Sequence, residues 1–407
     1  MVQINTYATD SLNAIFKNTY ADKIETLMPD ISLLAKDVKF VEAEKQQGGT
    51  YIQPVKLAFS HGATYAGPST IPNLNAPITS TIRQAQVEGY QFYMREQVSY
   101  DVAARATSGK NAFISSMGYV VETMMESTMQ RLEAEHLYGQ NNWGTVGTVT
   151  GNVLTISTAE WGPGLWNGAE GMILDDYTAA GVFVKNVTVV SVDMDARTIT
   201  VDNAAGITAT DVLYPKGEKG NGMAGVHTIL SNTGTLFGLS ATQYSLWRAS
   251  SFSAGNAALT FNKLLGAASN PVVKGMAKKV KCYVNPKAFR DLVNEFESAR
   301  TDFSSDVRRH QVERGTESEG LMFYYQTGVM QIISHPMVKE GYAYGLSIAD
   351  WRKVGATDVT FKLPGQGDQF FSHMENTPAY ELRCMSDYAL FTPRPAANFI
   401  ITNIVNS

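Results

Sequence analysis

Hydrophobic and polar residues change their spacing several times along the chain, and each change predicts a different kind of element. Apolar and polar residues alternate from Tyr51 to Phe59 and again from Val87 to Val102, which is typical of strands. The residues between these runs, His61 to Thr81, are rich in Gly, Pro and Asn, and we expect them to supply little apolar surface. We therefore predict a long β-hairpin over residues 49–104, which must lie on something else because its tip has no core of its own.

The strongest helical pattern follows this hairpin. Its side chains recur at helical spacing along one face: Phe113, Met117, Val120, Val121, Met124, Thr128 and Leu132. Thr107 or Ser108 can cap the start and Gly139 can end the helix. About 30 residues at 1.5 Å each give a rod on the order of 45 Å long, and we assign it to residues 105–142.

Residues 143–225 read as β structure. Two hairpins stand out, one from Thr148 to Ile156 around Gly151-Asn152 and one from Val187 to Val201. This segment carries nine acidic and four basic residues, so its net charge of −5 equals that of the whole chain. We interpret it as a small β barrel or sandwich inserted, as a separate module, into a host of balanced charge.

The remainder alternates between helical and strand patterns, which indicates an α+β fold with largely antiparallel strands. A helix is expected within residues 257–276, and Asn285-Pro286 begins another. The expected strands are Val280–Val284, Gly328–Ser334, Tyr342–Ile348, Val359–Leu363, Tyr380–Phe391 and Phe399–Ile404.

The first 48 residues hold short apolar clusters between polar stretches, and Pro29 interrupts any long helix. Two interpretations stay open at this point: an arm that reaches away from the body, or ordinary N-terminal helices packed on their own domain.

The composition indicates that much of the surface is covered. Charged residues make up 17% of the chain, against about 25% on average, which fits a protein surrounded by neighbouring subunits. Two cysteines cannot build a disulfide framework. No apolar run approaches the ~18 residues of a membrane span, and the start does not resemble a signal peptide, so we expect a soluble protein made in the cytosol.

The sequence offers little evidence for a catalytic or binding site. Gly220–Gly225 matches the dinucleotide-binding G-x-G-x-x-G string, but no acid follows at the required distance, so we interpret it as the exit from the inserted module. Glu133 and His136 form half of a di-iron motif without its second half, which favours a capped helix end. We interpret the basic run from Lys274 to Arg290 as a solvated face or as one that forms ion pairs between subunits. We predict no catalytic, cofactor or metal site.

The order of these parts resembles the major capsid protein of tailed bacteriophages, the Hong Kong ninety-seven-like fold. Gly328–Pro336 and Gly341–Leu346 look like the late strand-turn-strand of this family, and Arg383–Phe391 is similar to its closing strand. In that family the hairpin is an extended loop that lies over the adjacent subunit, the long helix is the spine of a peripheral domain, and the α+β body is the axial domain.

The resemblance implies the following division of the chain: N-terminal arm 1–48, extended hairpin loop 49–104, spine helix of the peripheral domain 105–142, inserted β-rich domain 143–225, axial domain with some peripheral elements 226–378, and closing strands of the peripheral domain 379–407. We expect the loop to contact neighbouring subunits through Tyr51, Val55, Leu57, Phe59, Tyr90, Phe92 and Met94.

The function implied is structural and not enzymatic. Copies of the chain would assemble through hexamers and pentamers, in the host cytoplasm, into the icosahedral head of a virion. The head would enclose double-stranded DNA that the protein binds only weakly and non-specifically, with scaffold, portal and decoration proteins as further partners and no membrane. Two alternatives stay open: an encapsulin-like nanocompartment shell, or another structural protein of a phage virion.

Overall fold

A computed structural model describes residues 32–41, 50–101, 110–302, 312–314, 321–362, 371–375 and 377–406 of the 407-residue chain. The predicted helix caps Thr107 and Ser108 lie outside these residues, as does most of the predicted arm.

The helices and strands of the described residues are numbered here in chain order. The helices are α1 (Leu33–Asp37), α2 (Lys110–Tyr138), α3 (Pro163–Trp166), α4 (Val226–Ser231), α5 (Phe261–Val273) and α6 (Pro286–Asp302). The strands are β1 (Lys39–Val41), β2 (Thr50–Ala58), β3 (Thr81–Glu88), β4 (Tyr90–Ser99), β5 (Gly144–Thr150), β6 (Val153–Ile156), β7 (Ile173–Tyr177), β8 (Phe183–Asp193), β9 (Thr198–Val201), β10 (Val212–Pro215), β11 (Thr235–Leu236), β12 (Leu239–Ser240), β13 (Ser250–Ala257), β14 (Lys279–Val284), β15 (Val312–Arg314), β16 (Leu321–Tyr325), β17 (Gly328–Ser334), β18 (Ala343–Leu346), β19 (Arg352–Thr360), β20 (Phe371–His373), β21 (Ala379–Phe391) and β22 (Phe399–Ile404).

β2 and β3 form the predicted hairpin, which is antiparallel and ends where Ala58 pairs with Thr81. Because successive side chains of a strand point to opposite faces, one face packs on the chain's own core and the other faces outward. Ile52 and Ile82 are exposed on the outward face. The buried side chains of the hairpin are Tyr51, Leu57, Ala85 and Val87.

The predicted second arm of the hairpin, Val87 to Val102, is wrong. The strand that pairs with β2 is β3, whereas β4 leaves the hairpin and pairs along its length with β21, nearly 300 residues later. Gly89 lies between β3 and β4, and a Cβ at this position would come within 2.3 Å of Asp387 Oδ1. Both strands alternate, so the periodicity alone did not separate them.

β21 is the centre of a five-stranded sheet. It pairs with β4, β19 and β20, and β1 extends the sheet by pairing parallel with β19. The strand expected at Val359–Leu363 begins much earlier, at Arg352. Lys353 obscured this start because it is a buried lysine, whose ammonium lies 5.4 Å from the ring centroid of Tyr388.

The long helix α2 ends at Tyr138, close to the predicted end at Gly139. The side chains of Val120, Met124 and Leu132 are buried along one face, as their spacing predicts. From Leu132 to Tyr138 the helix is buried on every side. Its last turns therefore lie inside the protein and carry polar side chains into the interior.

Strands β5 to β10 form a closed barrel in the order β10-β5-β6-β9-β8-β7, all within the segment predicted as an acidic β module. The turn predicted at Gly151-Asn152 joins β5 to β6, with Gly151 at φ +61°. Leu154, Leu174 and Ile199 are fully buried. A barrel is therefore the correct choice between the two predicted forms.

The second large sheet has seven strands in the order β13-β22-β18-β14-β17-β16-β15. α5 and α6 pack on it with the buried side chains of Leu264 and Leu292. The predicted cap of α6 is confirmed, since the side-chain oxygen of Asn285 accepts a hydrogen bond from the Lys287 N–H at 2.9 Å.

The last strand belongs to this second sheet. β22 pairs with β13 and β18, so residues 399–404 do not close the sheet that contains β21, as the assignment of 379–407 expected. Alternating or apolar runs identify a strand but do not identify its partner, and the turn at 395–397 redirects the chain after β21.

Candidate assembly surfaces

The loop between β2 and β3 displays large apolar side chains to solvent. Tyr65 is 93% exposed, Ile71 is 96% exposed and Leu74 is 83% exposed. Monomeric proteins rarely display such a group on one segment, and a group of this kind marks an interaction surface. We call residues 59–80 the loop tip.

The loop tip is held in shape by its own polar groups. The amide of Asn75 donates to the carbonyl oxygen of Ala63 at 2.9 Å, and its backbone N–H donates to the Thr64 hydroxyl at 2.9 Å. Nearer the strands, the His61 N–H donates to the Ile78 carbonyl at 3.0 Å. These bonds join the two sides of the tip and leave its apolar side chains pointing outward.

The seven predicted contact residues fall into three groups in the structure. Phe59 is exposed at the start of the loop tip, Tyr51 and Leu57 are buried in the chain's own core, and Val55, Tyr90, Phe92 and Met94 are half-buried. Tyr90, Phe92 and Met94 belong to β4 and so lie in the five-stranded sheet rather than in the hairpin. Their role as contacts between subunits stays a prediction.

The most exposed residues of the loop tip were not among the predicted contacts. The tip was expected to hold little apolar surface, whereas Ile71, Leu74 and Ile78 are all more than half exposed. Their isolation between prolines and asparagines gives no periodic signal. The usable signal was the presence of large aliphatic side chains in a segment that cannot form a core.

The described part of the predicted arm packs on its own chain. Leu34 and Val38 are buried, and β1 joins the five-stranded sheet. For residues 32–41, the second interpretation of the N-terminal segment is therefore the correct one. Lys281 of the seven-stranded sheet also reaches this segment, and its ammonium lies 2.6 Å from Asp37 Oδ1.

Glu133 fixes that segment to the end of α2. Its two carboxylate oxygens accept hydrogen bonds from the backbone N–H groups of Leu34 and Ala35, each at 2.7 Å, and one of them also contacts His335 Nε2 at 2.8 Å. Burial alone raises the pKa of Glu133, but hydrogen bonds and charge from His136 and His335 outweigh it and lower the pKa to about 2. Glu133 of the half-motif therefore caps a helix, as predicted. The helix that it caps is α1, and not α2, to which Glu133 itself belongs.

The barrel is joined to the body by charged contacts. Arg197, in the turn between β8 and β9, places two guanidinium nitrogens 3.2 and 3.1 Å from the two carboxylate oxygens of Glu340. Lys339 is fully buried and its ammonium lies 2.5 Å from Glu160 Oε2. A bidentate pair of this kind fixes orientation as well as distance.

Two buried glutamates lie beside Arg131 where the barrel meets α2. Burial raises the pKa of Glu135 to about 7, partly offset by the charge of Arg131. Burial and the charge of Glu135 raise the pKa of Glu218 to about 8, against the opposing charges of Arg131 and Lys339. Perturbed carboxyl groups of this kind are found at functional sites and in structural ion clusters alike.

The other candidate motifs take structural positions. Gly220–Gly225 leads from the barrel into α4, and a Cβ at Gly225 would lie 2.5 Å from the backbone nitrogen of Gly139, so this glycine permits a close approach to the end of α2. Within the basic run, Lys281 and Lys287 pair with Asp37 and Glu340 of the same chain.

In the described ranges, no three His, Cys, Asp or Glu side chains are grouped so that they could hold a metal ion. None of the helices described is both long enough and apolar enough to cross a membrane.

Comparison with known proteins gives a structural answer only. No protein-family model and no curated protein matches the sequence. The fold is similar to that of a chain in the capsid asymmetric unit of cyanophage A-1(L), with a TM-score of 0.58 and 11% identity over 98% of this chain and 99% of that chain. The chain therefore has the α+β phage capsid fold that the order of its parts predicted.

Two further structures are similar at lower scores. One is the capsid of a native GTA particle, with a TM-score of 0.49 and 9% identity over 99% of this chain and 100% of that chain. The other is the holo-SrpI encapsulin complex from Synechococcus elongatus, with a TM-score of 0.45 and 9% identity over 98% of this chain and 95% of that chain.

Proposed function

We propose that this chain is the major capsid protein of a tailed phage, which assembles through hexamers and pentamers into an icosahedral head around double-stranded DNA. The observation that carries the proposal is the loop tip, a shaped segment whose apolar side chains are left exposed by the rest of the described chain. The capsid fold shared with the cyanophage protein supports it.

The physical argument rests on the cost of leaving that loop in water. Burying a side chain such as Ile71 or Leu74 contributes roughly 1.5–3 kcal/mol. Each copy offers one loop and, in a closed ring or shell, receives one from a neighbour, so the same modest contact is repeated around every symmetric unit. A low content of charged residues suits subunits whose edges are covered in this way.

The parts of the fold take the roles implied by the resemblance, with changed boundaries. We assign α2 and the five-stranded sheet to the peripheral domain, and the seven-stranded sheet with α5 and α6 to the axial domain. Strand β22 then belongs to the axial domain. The barrel is the inserted domain, which we expect on the outer surface of the shell.

The proposed role makes no use of catalysis, and the cargo is bound weakly. Outside residues 143–225 acidic and basic residues balance, so the chain offers no excess of positive charge to neutralise phosphates. Packaged DNA could therefore move past the inner wall of the shell. Portal, scaffold and decoration proteins would be partners in the host cytoplasm and in the virion.

The test is electron microscopy of the expressed chain, combined with analysis of what particles contain in infected or induced cells. Closed icosahedral particles that hold double-stranded DNA would support the proposal. Particles filled with an enzyme would instead identify an encapsulin-like compartment. A chain that stays monomeric at all concentrations, with its loop tip protected, would refute assembly itself.

A further inference from the structure

Two arginines face each other across neighbouring strands of the five-stranded sheet. Arg95 of β4 lies directly opposite Arg383 of β21, and their side chains are 61% and 46% exposed. Like charges in directly opposite positions destabilise a sheet. The fold nevertheless keeps the two arginines together on the face that points away from α2, since α2 packs through Met124 against Cys384 on the other face.

The carboxylate of Glu381 holds the two arginines in place. Its Oε1 lies 3.4 Å from Arg95 Nη1, and its Oε2 lies 2.7 Å from Arg383 Nη2. Because one buried carboxylate serves two guanidinium groups, the three side chains together keep a net positive charge. Each guanidinium has five N–H donors, and the contacts with Glu381 use only a few of them. The remaining donors are held ready on the exposed side of the sheet.

Tyr93 and Gln91 continue the same face along β4, because residues two apart in a strand share a face. Both are exposed. The surface therefore combines two positive side chains with an aromatic ring and an amide, and we call Gln91, Tyr93, Arg95 and Arg383 the arginine face. Tyr and Arg are the residues that carry most binding energy at protein interfaces, and Arg binds carboxylates with defined geometry. The arginine face therefore fits a partner that presents carboxylates beside an apolar side chain.

The barrel presents this chemistry in the turn between β8 and β9. Asp193, Met194 and Asp195 are consecutive and exposed, and we call residues 193–196 the acidic turn. Asp193 Oδ1 accepts hydrogen bonds from the backbone N–H groups of Asp195 and Ala196, at 3.0 and 2.9 Å. Arg197, the next residue, ties the turn to the body of the chain. The acidic turn is thus fixed in shape, with one carboxylate on each side of a methionine.

Charge favours the barrel of another copy as the partner of the arginine face. The barrel segment, residues 143–225, carries the whole net charge of −5, whereas the rest of the chain is balanced. Complementary charges speed the encounter of two surfaces and fix their register. The arginine face and the acidic turn are both exposed in the single chain, so they do not bind each other within one copy.

We propose that the arginine face receives the acidic turn of a second copy of this chain. The two carboxylates of the turn bind the two guanidinium groups, and Met194 packs on the ring of Tyr93 in a favourable sulfur–aromatic contact. The two surfaces occupy different places on each copy, so the contact is head-to-tail and closes into a ring when the rotation between copies allows. This inference rests on the proposed self-assembly and adds to it a contact made by the barrel.

The test is disulfide formation between two different singly substituted chains in assembled particles. Chains carrying Tyr93→Cys and chains carrying Met194→Cys are co-expressed, oxidised and separated on non-reducing gels. These substitutions leave all four charged partners in place. The native Cys282 and Cys384 are buried, so they contribute little background. The matched control replaces Met194→Cys by Val182→Cys, which is 63% exposed and adjoins the opposite end of β8.

We expect at least tenfold more linked dimer from the 93 and 194 pair than from the 93 and 182 pair. Adding Arg95→Gln to the Tyr93→Cys chain should lower the yield at least threefold, because one of the two ionic contacts is lost. Particles that assemble normally but give equal yields from the two pairs, or no linked dimer, would overturn this inference and leave the proposed function standing. A yield that Arg95→Gln leaves unchanged would overturn it too. Failure of the unsubstituted chain to form particles at all would contradict the proposed function, and this inference with it.

Discussion

Glu133 Oε1 lies 2.8 Å from His335 Nε2, although 202 residues separate the two in sequence. The same carboxylate accepts hydrogen bonds from the backbone of Leu34 and Ala35. One fully buried side chain at the end of α2 therefore holds together the start of the described chain and the seven-stranded sheet. A buried negative charge at this position is tolerated only because these hydrogen bonds compensate for the water that it has lost.

We expect Glu133→Gln to lower the free energy of unfolding by about 1–3 kcal/mol at pH 7, because an amide leaves one buried N–H without an acceptor. Urea denaturation of unassembled chains measures this change. Glu122→Gln, an exposed position on the same helix, is the matched control and should cost less than about 0.5 kcal/mol. Equal effects at the two positions would show that the carboxylate does not hold the segments together.

The pH dependence of the same pair of proteins gives a second test. The pKa of Glu133 is lowered from 4.5 to about 2, so its contribution to stability is complete above pH 4.5 and is lost as the pH falls towards 2. We expect the difference in unfolding free energy between the natural chain and Glu133→Gln to shrink over this interval. A difference that stays constant from pH 6 to pH 2.5 would contradict the assignment.

Titration of Glu218 should change the stability of the protein with pH in the direction opposite to that of Glu133. Its pKa is raised from 4.5 to about 8, so the folded state holds a proton that the unfolded state releases, and stability is lost as the pH rises through this window. The free energy of unfolding should therefore fall by up to about 1.4 kcal/mol per pH unit between pH 5 and 8. We expect Glu218→Gln to remove this slope. Unfolding measured at several pH values checks this, and an unchanged slope would place the Glu218 carboxyl in contact with water.

The barrel should be energetically coupled to the body. A double-mutant cycle with Arg197→Ala and Glu340→Ala is expected to give a coupling energy of about 1–3 kcal/mol, since the bidentate pair is mostly buried. Effects of the two substitutions that simply add would mean that the barrel is not held by this pair.

The barrel also shares its apolar core with the body. Leu154 and Leu174 of the barrel belong to the same buried cluster as Tyr138 and Met337. The acidic composition suggested a separate module, yet removal of residues 145–222 would uncover this core and leave the buried Lys339 without Glu160. We therefore expect such a deletion to unfold or aggregate the chain, as light scattering and circular dichroism would show.

The sequence predicted the elements whose signals are local. The spacing of Met124 and Leu132, the Gly151-Asn152 turn and the Asn285 cap each depend on a few neighbouring residues, and the structure confirms all three. Pairings between distant segments left no such signal. The separation of β3 from β4 and the place of β22 depend on partners far along the chain.

The candidate surfaces were predicted in the same uneven way. The hairpin and its need for a partner followed from composition, but its exposed residues did not, because Ile71 and Leu74 follow no period. A cavity whose lining includes Glu218 and Glu135 was not predicted at all. The cavity forms only where α2, β4 and the barrel come together in the folded chain. In the sequence, each glutamate has the surroundings of an ordinary surface residue.

The double substitution Ile71→Ser with Leu74→Ser should separate folding from assembly. Both side chains are exposed in the single chain, so the free energy of unfolding should change by less than about 0.5 kcal/mol. Assembly should weaken strongly because each copy loses two buried contacts. Val273→Ser, equally exposed elsewhere, is the control and should assemble normally; a chain with both loop substitutions that assembles as well as this control would exclude the loop tip as the contact.

The proposed shell depends on the loop tip joining one copy to the next. Replacing residues 59–80 by Asn-Gly closes the hairpin with a tight turn, since Ala58 and Thr81 already pair. Sedimentation of this variant beside the full-length chain is the most direct measurement. We expect the full-length chain to sediment as closed particles and the folded variant as small oligomers or monomers. Particles of normal size from the variant would show that the loop tip does not join the copies.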